Sequence, residues 1–126
     1  KNNDITVLTV KKSDPTGFGR IVRNKKGLIK KIVEEINANP KQKTIKEVNT
    51  ACYCFNLDYL KSVIPQIRKN PAAGEYYLTD TIAIGLKNGA KIGTLKLKND
   101  NFFQGVNTEE QLHAANEKMK QKHAEE

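Results

Sequence analysis

The spacing of apolar positions changes several times along this chain, and each change marks an element. Residues 5–11 carry Ile5 and Val7 on one face and Leu8 and Val10 on the other. Two apolar faces predict a central strand rather than an edge. Ser13-Asp14-Pro15-Thr16-Gly17 is dense in turn formers and predicts a loop. The β-prone runs 18–23 and 28–36 flank Asn24-Lys25-Lys26-Gly27, a turn in which Gly27 is free to take positive φ, so a β-hairpin is expected over 18–36. Residues 37–44 are polar and read as an exposed loop, and residues 45–55 as the next strand.

The period then lengthens. Asn56 is a candidate N-cap for a helix from Leu57, with Leu57, Leu60, Ile64 and Ile67 as its apolar stripe and Pro65 shortening or breaking it. After the loop 70–74, residues 75–88 predict a helix with Leu78, Ile82 and Leu86 on one face, stopped at Gly89. Residues 91–98 read as a strand. Thr108-Glu109-Glu110-Gln111 is a capping box that opens a last helix, with Leu112, Ala115 and Met119 inward and a solvated tail beyond. Strands alternating with helices predict an α/β fold, and the hairpin makes its sheet mixed.

Composition narrows the function classes. The 126 residues carry a net charge of +8, with 22 Lys and Arg. Arginine occurs only at 20, 23 and 68, and the lysines are spread out. Readers of nucleic acid cluster arginine and interleave aromatics. That pattern is absent, so no nucleic-acid partner is expected, and the basic surface suits small anionic substrates. No apolar run approaches the roughly 18 residues of a membrane span, and no signal peptide is read at the N-terminus. Cys52 and Cys54 share one face of a strand, and as a C-x-C pair they fall short of a metal set. They are expected as small apolar residues in a buried strand, in a cytoplasmic protein. His113 and His123 have no nucleophile near them in sequence and are not expected to be catalytic.

Five segments carry a resemblance. Asp14-Pro15-Thr16-Gly17-Phe18-Gly19-Arg20-Ile21 closely resembles the D-P-T-G-Y-G-R-I segment of bacterial N-acetylglucosamine-1-phosphate uridylyltransferases. Ile32-Val33-Glu34-Glu35 is similar to their I-V-E-x, and Glu47-Val48-Asn49-Thr50 to their E-[IV]-N-T. Gly74-Glu75-Tyr76-Tyr77-Leu78-Thr79-Asp80 matches G-E-Y-Y-[LI]-T-D, and Gly105-Val106-Asn107 matches G-V-N. Phe18 departs from the usual Tyr, and Ala51 from the glycine that usually follows Asn-Thr.

The resemblance implies a Rossmann-like nucleotidyltransferase sheet, mixed, with its β-hairpin at 18–36, present only as its second half. The family's L-x-A-G-x-G-T-x-M loop, catalytic lysine and metal-binding aspartate precede the matched region, and none lies within residues 1–126. The chain opens on Lys1, with its single Met at 119, which supports the same expectation: a partial domain, without the β-helix acetyltransferase domain that often follows. The implied reaction transfers UMP from UTP to N-acetylglucosamine 1-phosphate, with Mg²⁺ as cofactor. The matched half would bind the sugar phosphate and not turn over alone. Truncated sheet edges lead to the expectation of a homodimer.

Each implied site residue also has a plainer reading. Gly19, implied to bring its amide to the sugar, also reads as a turn or bulge glycine. Glu34 can accept two sugar hydroxyls, or sit exposed on the hairpin. Asn49 has a donor and an acceptor for an acetamido group, and inside an apolar strand it needs some partner. Tyr77 and Thr79 bring hydroxyls to a helix start, where phosphate is favoured, or else pack and cap locally. Asn107 offers a hard oxygen to the metal, or simply precedes the last helix. Arg20 reads as a surface residue, with an anion contact as its alternative. The competing functions are a sugar nucleotidyltransferase for another sugar or base, and a non-catalytic binding or interaction module.

Overall fold

The computed structural model describes residues 2–98, 103, 105–106 and 108–124, with side chains to 121. The strands are β1 (Ile5–Lys11), β2 (Arg20–Arg23), β3 (Ile29–Val33), β4 (Glu47–Phe55) and β5 (Ile92–Lys96). The helices are α1 (Pro40–Lys43), α2 (Leu57–Val63), α3 (Asp80–Lys87) and α4 (Glu109–Ala124). One mixed sheet runs in the order β3-β2-β4-β1-β5. β1 pairs antiparallel with β4 and parallel with β5, while β2 pairs antiparallel with β3 and, at Arg20 and Val48, with β4. The α/β class, the mixed sheet and the central place of β1 agree with the apolar pattern.

The hairpin is shorter than its β-prone sequence. Its turn closes through Asn24, whose side-chain oxygen accepts from the Lys26 and Leu28 amides, and Gly27 sits at φ +76°. β3 stops at Val33, and Glu35–Asn37 turn into a 3₁₀ helix. The expected loop at 37–44 contains α1, opened by a capping box in which Asn39 and Gln42 exchange bonds, with Pro40 at the first helical position.

Ile5, Val7, Ile21, Ile29 and Ile82 form the buried core, with Tyr53, Phe55, Tyr59 and Ile92 packed against it. Full burial of a side chain such as Ile82 contributes roughly 2 kcal/mol. Asn56 caps α2 as expected, accepting from Tyr59 N at 3.0 Å. The stripe of α2 is rotated, however. Leu57 and Ile64 are exposed and Val63 is buried, because the α-helix gives way to a 3₁₀ turn at Ile64-Pro65-Gln66. On α3 the buried residues are Thr81, Ile82 and Gly85, while Leu78 and Leu86 are exposed. Gly85 lies under the Tyr59 hydroxyl, which donates to the Thr81 carbonyl at 2.6 Å.

The helix expected from residue 75 starts at Asp80. Residues before it bridge backwards, with Asn70 N donating to Glu75 O at 2.7 Å and Lys69 paired with Tyr76. Cys52 and Cys54 are exposed, which corrects the expectation of buried thiols: the face of β4 that meets the core carries Tyr53 and Phe55. The capping box of α4 forms through Thr108 and Gln111. Leu112 and Met119 on that helix are exposed rather than inward, since three apolar residues among charged neighbours make too narrow a stripe to set its orientation. No helix among the described residues is long and apolar enough to cross a membrane.

Candidate functional site

Glu34 directly follows β3, and the Thr79 hydroxyl directly precedes α3. The two meet: Thr79 Oγ1 donates to Glu34 Oε1 at 3.1 Å, across 45 residues. Thr79 therefore makes no capping bond with its own helix. Gly19 directly precedes β2 and is buried beside the same carboxylate. A methyl group on it would stand 3.1 Å from Glu34 Oε2 and 3.1 Å from Ile32 Cγ2, so a side chain here would press on both and glycine lets the backbone approach without displacing them. The Gly19 carbonyl accepts from Asn49 N at 2.8 Å, which brings β4 into the cluster.

Asn49 is itself held by a distortion of β4. The β1–β4 register moves from Val7 opposite Tyr53 to Thr9 opposite Asn49, so Thr50, Ala51 and Cys52 stand against Leu8 alone. This bulge is stitched by side chains: Thr50 Oγ1 donates to Leu8 O at 2.8 Å, and Asn49 Oδ1 accepts from Ala51 N at 3.1 Å. Ala51 pays for the bend with φ 59°, in the left-handed region. Asn49 Nδ2 donates to Tyr53 Oη at 2.6 Å. Burial is the main reason the Tyr53 hydroxyl is pushed up to about 12; the Asn49 bond opposes this and the Glu34 charge adds to it.

Gly19, Glu34, Asn49 and Thr79 thus come together. Tyr77 is half-buried in the preceding turn, where its carbonyl accepts from Asp80 N at 3.0 Å. No hydrogen bond among the described residues joins its hydroxyl to the cluster. Asn107 lies outside the described residues. The nearby Phe103 is anchored to the loop before Gly19: Lys12 Nζ donates to Phe103 O at 2.8 Å, and the rings of Phe103 and Phe18 are 6.4 Å apart. Among the described residues, no three His, Cys, Asp or Glu side chains form a set that could hold a metal. A separate open hollow of about 440 Å³, lined by Asp4, Asp58, Tyr59, Ser62 and Asn88 among others, includes none of the expected site residues.

A family described as nucleotidyl transferase matches residues 1–122. The chain belongs to the nucleotidyl transferase family. It is 46% identical over 105 residues to the bifunctional protein GlmU of Acholeplasma laidlawii, covering 83% of this chain and 23% of that protein. It is 44% identical over 117 residues to GlmU of Halalkalibacterium halodurans, covering 93% and 26%. Against GlmU of Clostridioides difficile it is 42% identical over 117 residues, again covering 93% and 26%. The chain spans about a quarter of the length of these relatives. In fold it is similar to a crystal structure described as a glucose-1-phosphate thymidylyltransferase from Bacillus anthracis, with TM-score 0.66 and 24% identity, covering 91% of this chain and 43% of that one.

In this nucleotidyl transferase segment Arg20 departs most from its sequence reading. It is 1% exposed rather than on the surface. Its guanidinium pairs with Glu35 Oε2 at 2.7 Å and donates to the Phe18 carbonyl. Burial raises the Glu35 carboxyl, but bonds from Arg20 and the Gly17 amide and the nearby charges together hold it below the ordinary value. A second pair, partly buried, braces β4. Arg23 Nε and Nη2 grip Glu47 at 2.8 and 2.6 Å, and Thr9 Oγ1 donates to it at 2.8 Å. The Arg23 bond is the main cause of Glu47 being held below the usual carboxylate range.

Sequence reasoning missed Tyr53, Arg20, Glu35 and the Arg23–Glu47 pair. One sign was available: Glu34 and Glu35 are adjacent at a strand end, and alternation there sends neighbouring carboxylates to different partners.

Proposed function

We propose that this chain is the acceptor-binding part of a sugar nucleotidyltransferase that transfers UMP from UTP to N-acetylglucosamine 1-phosphate, giving UDP-N-acetylglucosamine and pyrophosphate. The observation that carries the reading is the Glu34 cluster: a carboxylate bonded to Thr79, closely approached by the Gly19 backbone, beside an Asn49 whose carbonyl is fixed. Identity to three GlmU proteins supports it.

The chemistry of the cluster fits an acylated sugar. Glu34 accepts sugar hydroxyls. Asn49 commits one lone pair of its oxygen to Ala51 N and one amide hydrogen to Tyr53, so its second amide hydrogen can meet an acetamido carbonyl and its second lone pair an acetamido N–H. Gly19 admits the ring close to the backbone. In the reaction an oxygen of the sugar's phosphate attacks the α-phosphorus of UTP, and the bond to the bridging oxygen breaks as pyrophosphate leaves. These residues orient the attacking phosphate, and orientation accounts for much of such a barrier. Mg²⁺ would supply charge neutralisation to the triphosphate, and the amide oxygen of Asn107 is the ligand this chain would offer it.

Isothermal titration of the folded chain with N-acetylglucosamine 1-phosphate tests the reading. Binding is expected, with no pyrophosphate released when UTP is added. Loss of the heat in Glu34→Ala supports the assignment. A folded chain that gives no heat and no amide shifts with this ligand would overturn it.

A further inference from the structure

Arg20 follows Gly19 in sequence, and Glu35 follows Glu34. The Arg20–Glu35 pair therefore brackets both members of the closest contact in the cluster. Arg20 reaches Glu35 Oε2 at 2.7 Å and the Phe18 carbonyl immediately before Gly19. The loop on one side of Gly19 is thus fastened to the residue on the far side of Glu34.

We propose that Arg20 is a positioning residue for the sugar-phosphate site: it holds the Gly19 backbone against Glu34 and keeps the Gly19 carbonyl on Asn49 N. This rests on the function proposed above. A guanidinium with 1% exposure is strongly disfavoured without partners, so its partners dictate where the chain must run. Buried ion pairs are poor sources of net stability compared with apolar packing, which makes geometry the better account of this one. The planar fork also matters. It spans a carbonyl and a carboxylate at once, which a lysine ammonium does less well. Lys43, 3.8 Å from Glu35 Oε1 and half-exposed, adds a weak contact and cannot replace the clamp.

Arg20→Lys and the near-isosteric Glu35→Gln test this in the full 126-residue chain. Amide exchange is followed by NMR, and affinity for N-acetylglucosamine 1-phosphate is measured on the same samples. The expected result is at least tenfold faster exchange at Asn49, whose amide donates to Gly19 O, unchanged exchange in the β1–β5 ladder, and an affinity at least tenfold lower. Exchange accelerated uniformly across the sheet would mean a merely structural role and would overturn the proposal. So would unchanged exchange at Asn49, or unchanged affinity. If Arg20→Lys does not fold, Glu35→Gln decides by the same criteria. Absence of binding by the unmodified chain would instead end the substrate reading, and the exchange comparison would still decide whether Arg20 holds Gly19 in place.

Discussion

Thr79 Oγ1 and Glu34 Oε1 lie 3.1 Å apart, and this bond joins the start of α3 to the end of β3. It diverts a residue placed to cap its own helix toward a distant carboxylate. Thr79→Val keeps the branched shape and removes the donor. Urea denaturation should show a loss of about 1 kcal/mol, the usual contribution of one such bond. Affinity for N-acetylglucosamine 1-phosphate should fall with it, because Glu34 loses a fixed orientation. An unchanged denaturation midpoint would show that the bond contributes nothing.

Ala51 occupies a conformation that favours glycine, at φ 59°. Ala51→Gly relieves the clash of Cβ with the backbone but adds freedom to the unfolded chain. The two effects oppose, at about 1–2 kcal/mol and about 0.5–1 kcal/mol. Net stabilisation of roughly 0.5–1 kcal/mol is expected. Thermal unfolding measures it, and a lowered midpoint would contradict the strain.

The contact of Gly85 with Tyr59 sets how closely α3 and α2 pack. A methyl group at 85 would overlap the Tyr59 hydroxyl, so Gly85→Ala should destabilise by about 1–3 kcal/mol. Tyr59→Phe alone should lose about 1 kcal/mol with its bond to the Thr81 carbonyl. Combined, the two changes should cost less than their sum, because removing the hydroxyl makes room for the methyl. Strict additivity would mean the helices shift apart instead.

Glu47 makes stability depend on acid. Its folded-state pKa is held below the ordinary value, first by its bond to Arg23, so the unfolded chain takes up the proton more readily. Its contribution is complete above the ordinary glutamate pKa of about 4.3 and disappears as pH falls through the lower folded value. Glu47→Gln should be less stable than the unmodified chain at pH 7, and the gap should narrow below about pH 4. Denaturation series at several pH values check this. A gap that stays constant across that window would show that Glu47 is not the group titrating.

Much of the architecture was readable because its signals are local. The Asn24 turn, the Asn56 cap and the Thr108–Gln111 capping box each close between residues two to four apart. Their geometry follows from residue type and short spacing alone. The same grammar was present at Asn39-Pro40-Lys41-Gln42, and only its polarity led to a loop assignment. Helix faces were less readable. Leu78 and Leu86 sit at the right spacing to flank Ile82, yet Gly85 and Thr81 face the core, because Tyr59 fills the space above them.

By itself the sequence determined the mixed α/β class and the order of the main elements, α1 excepted, and its resemblance to a known family pointed to four residues that prove to be neighbours, Gly19, Glu34, Asn49 and Thr79. Only the tertiary structure decided that Arg20 is buried on Glu35, that Ala51 bends a bulge, and that Thr79 bonds Glu34 rather than its own helix. The physical reason is distance along the chain. A cap or turn needs partners a few residues away, so a short pattern encodes it. A buried charge or a cross-sheet hydroxyl finds its partner only after packing has brought remote segments together, and no local pattern records which partner that will be.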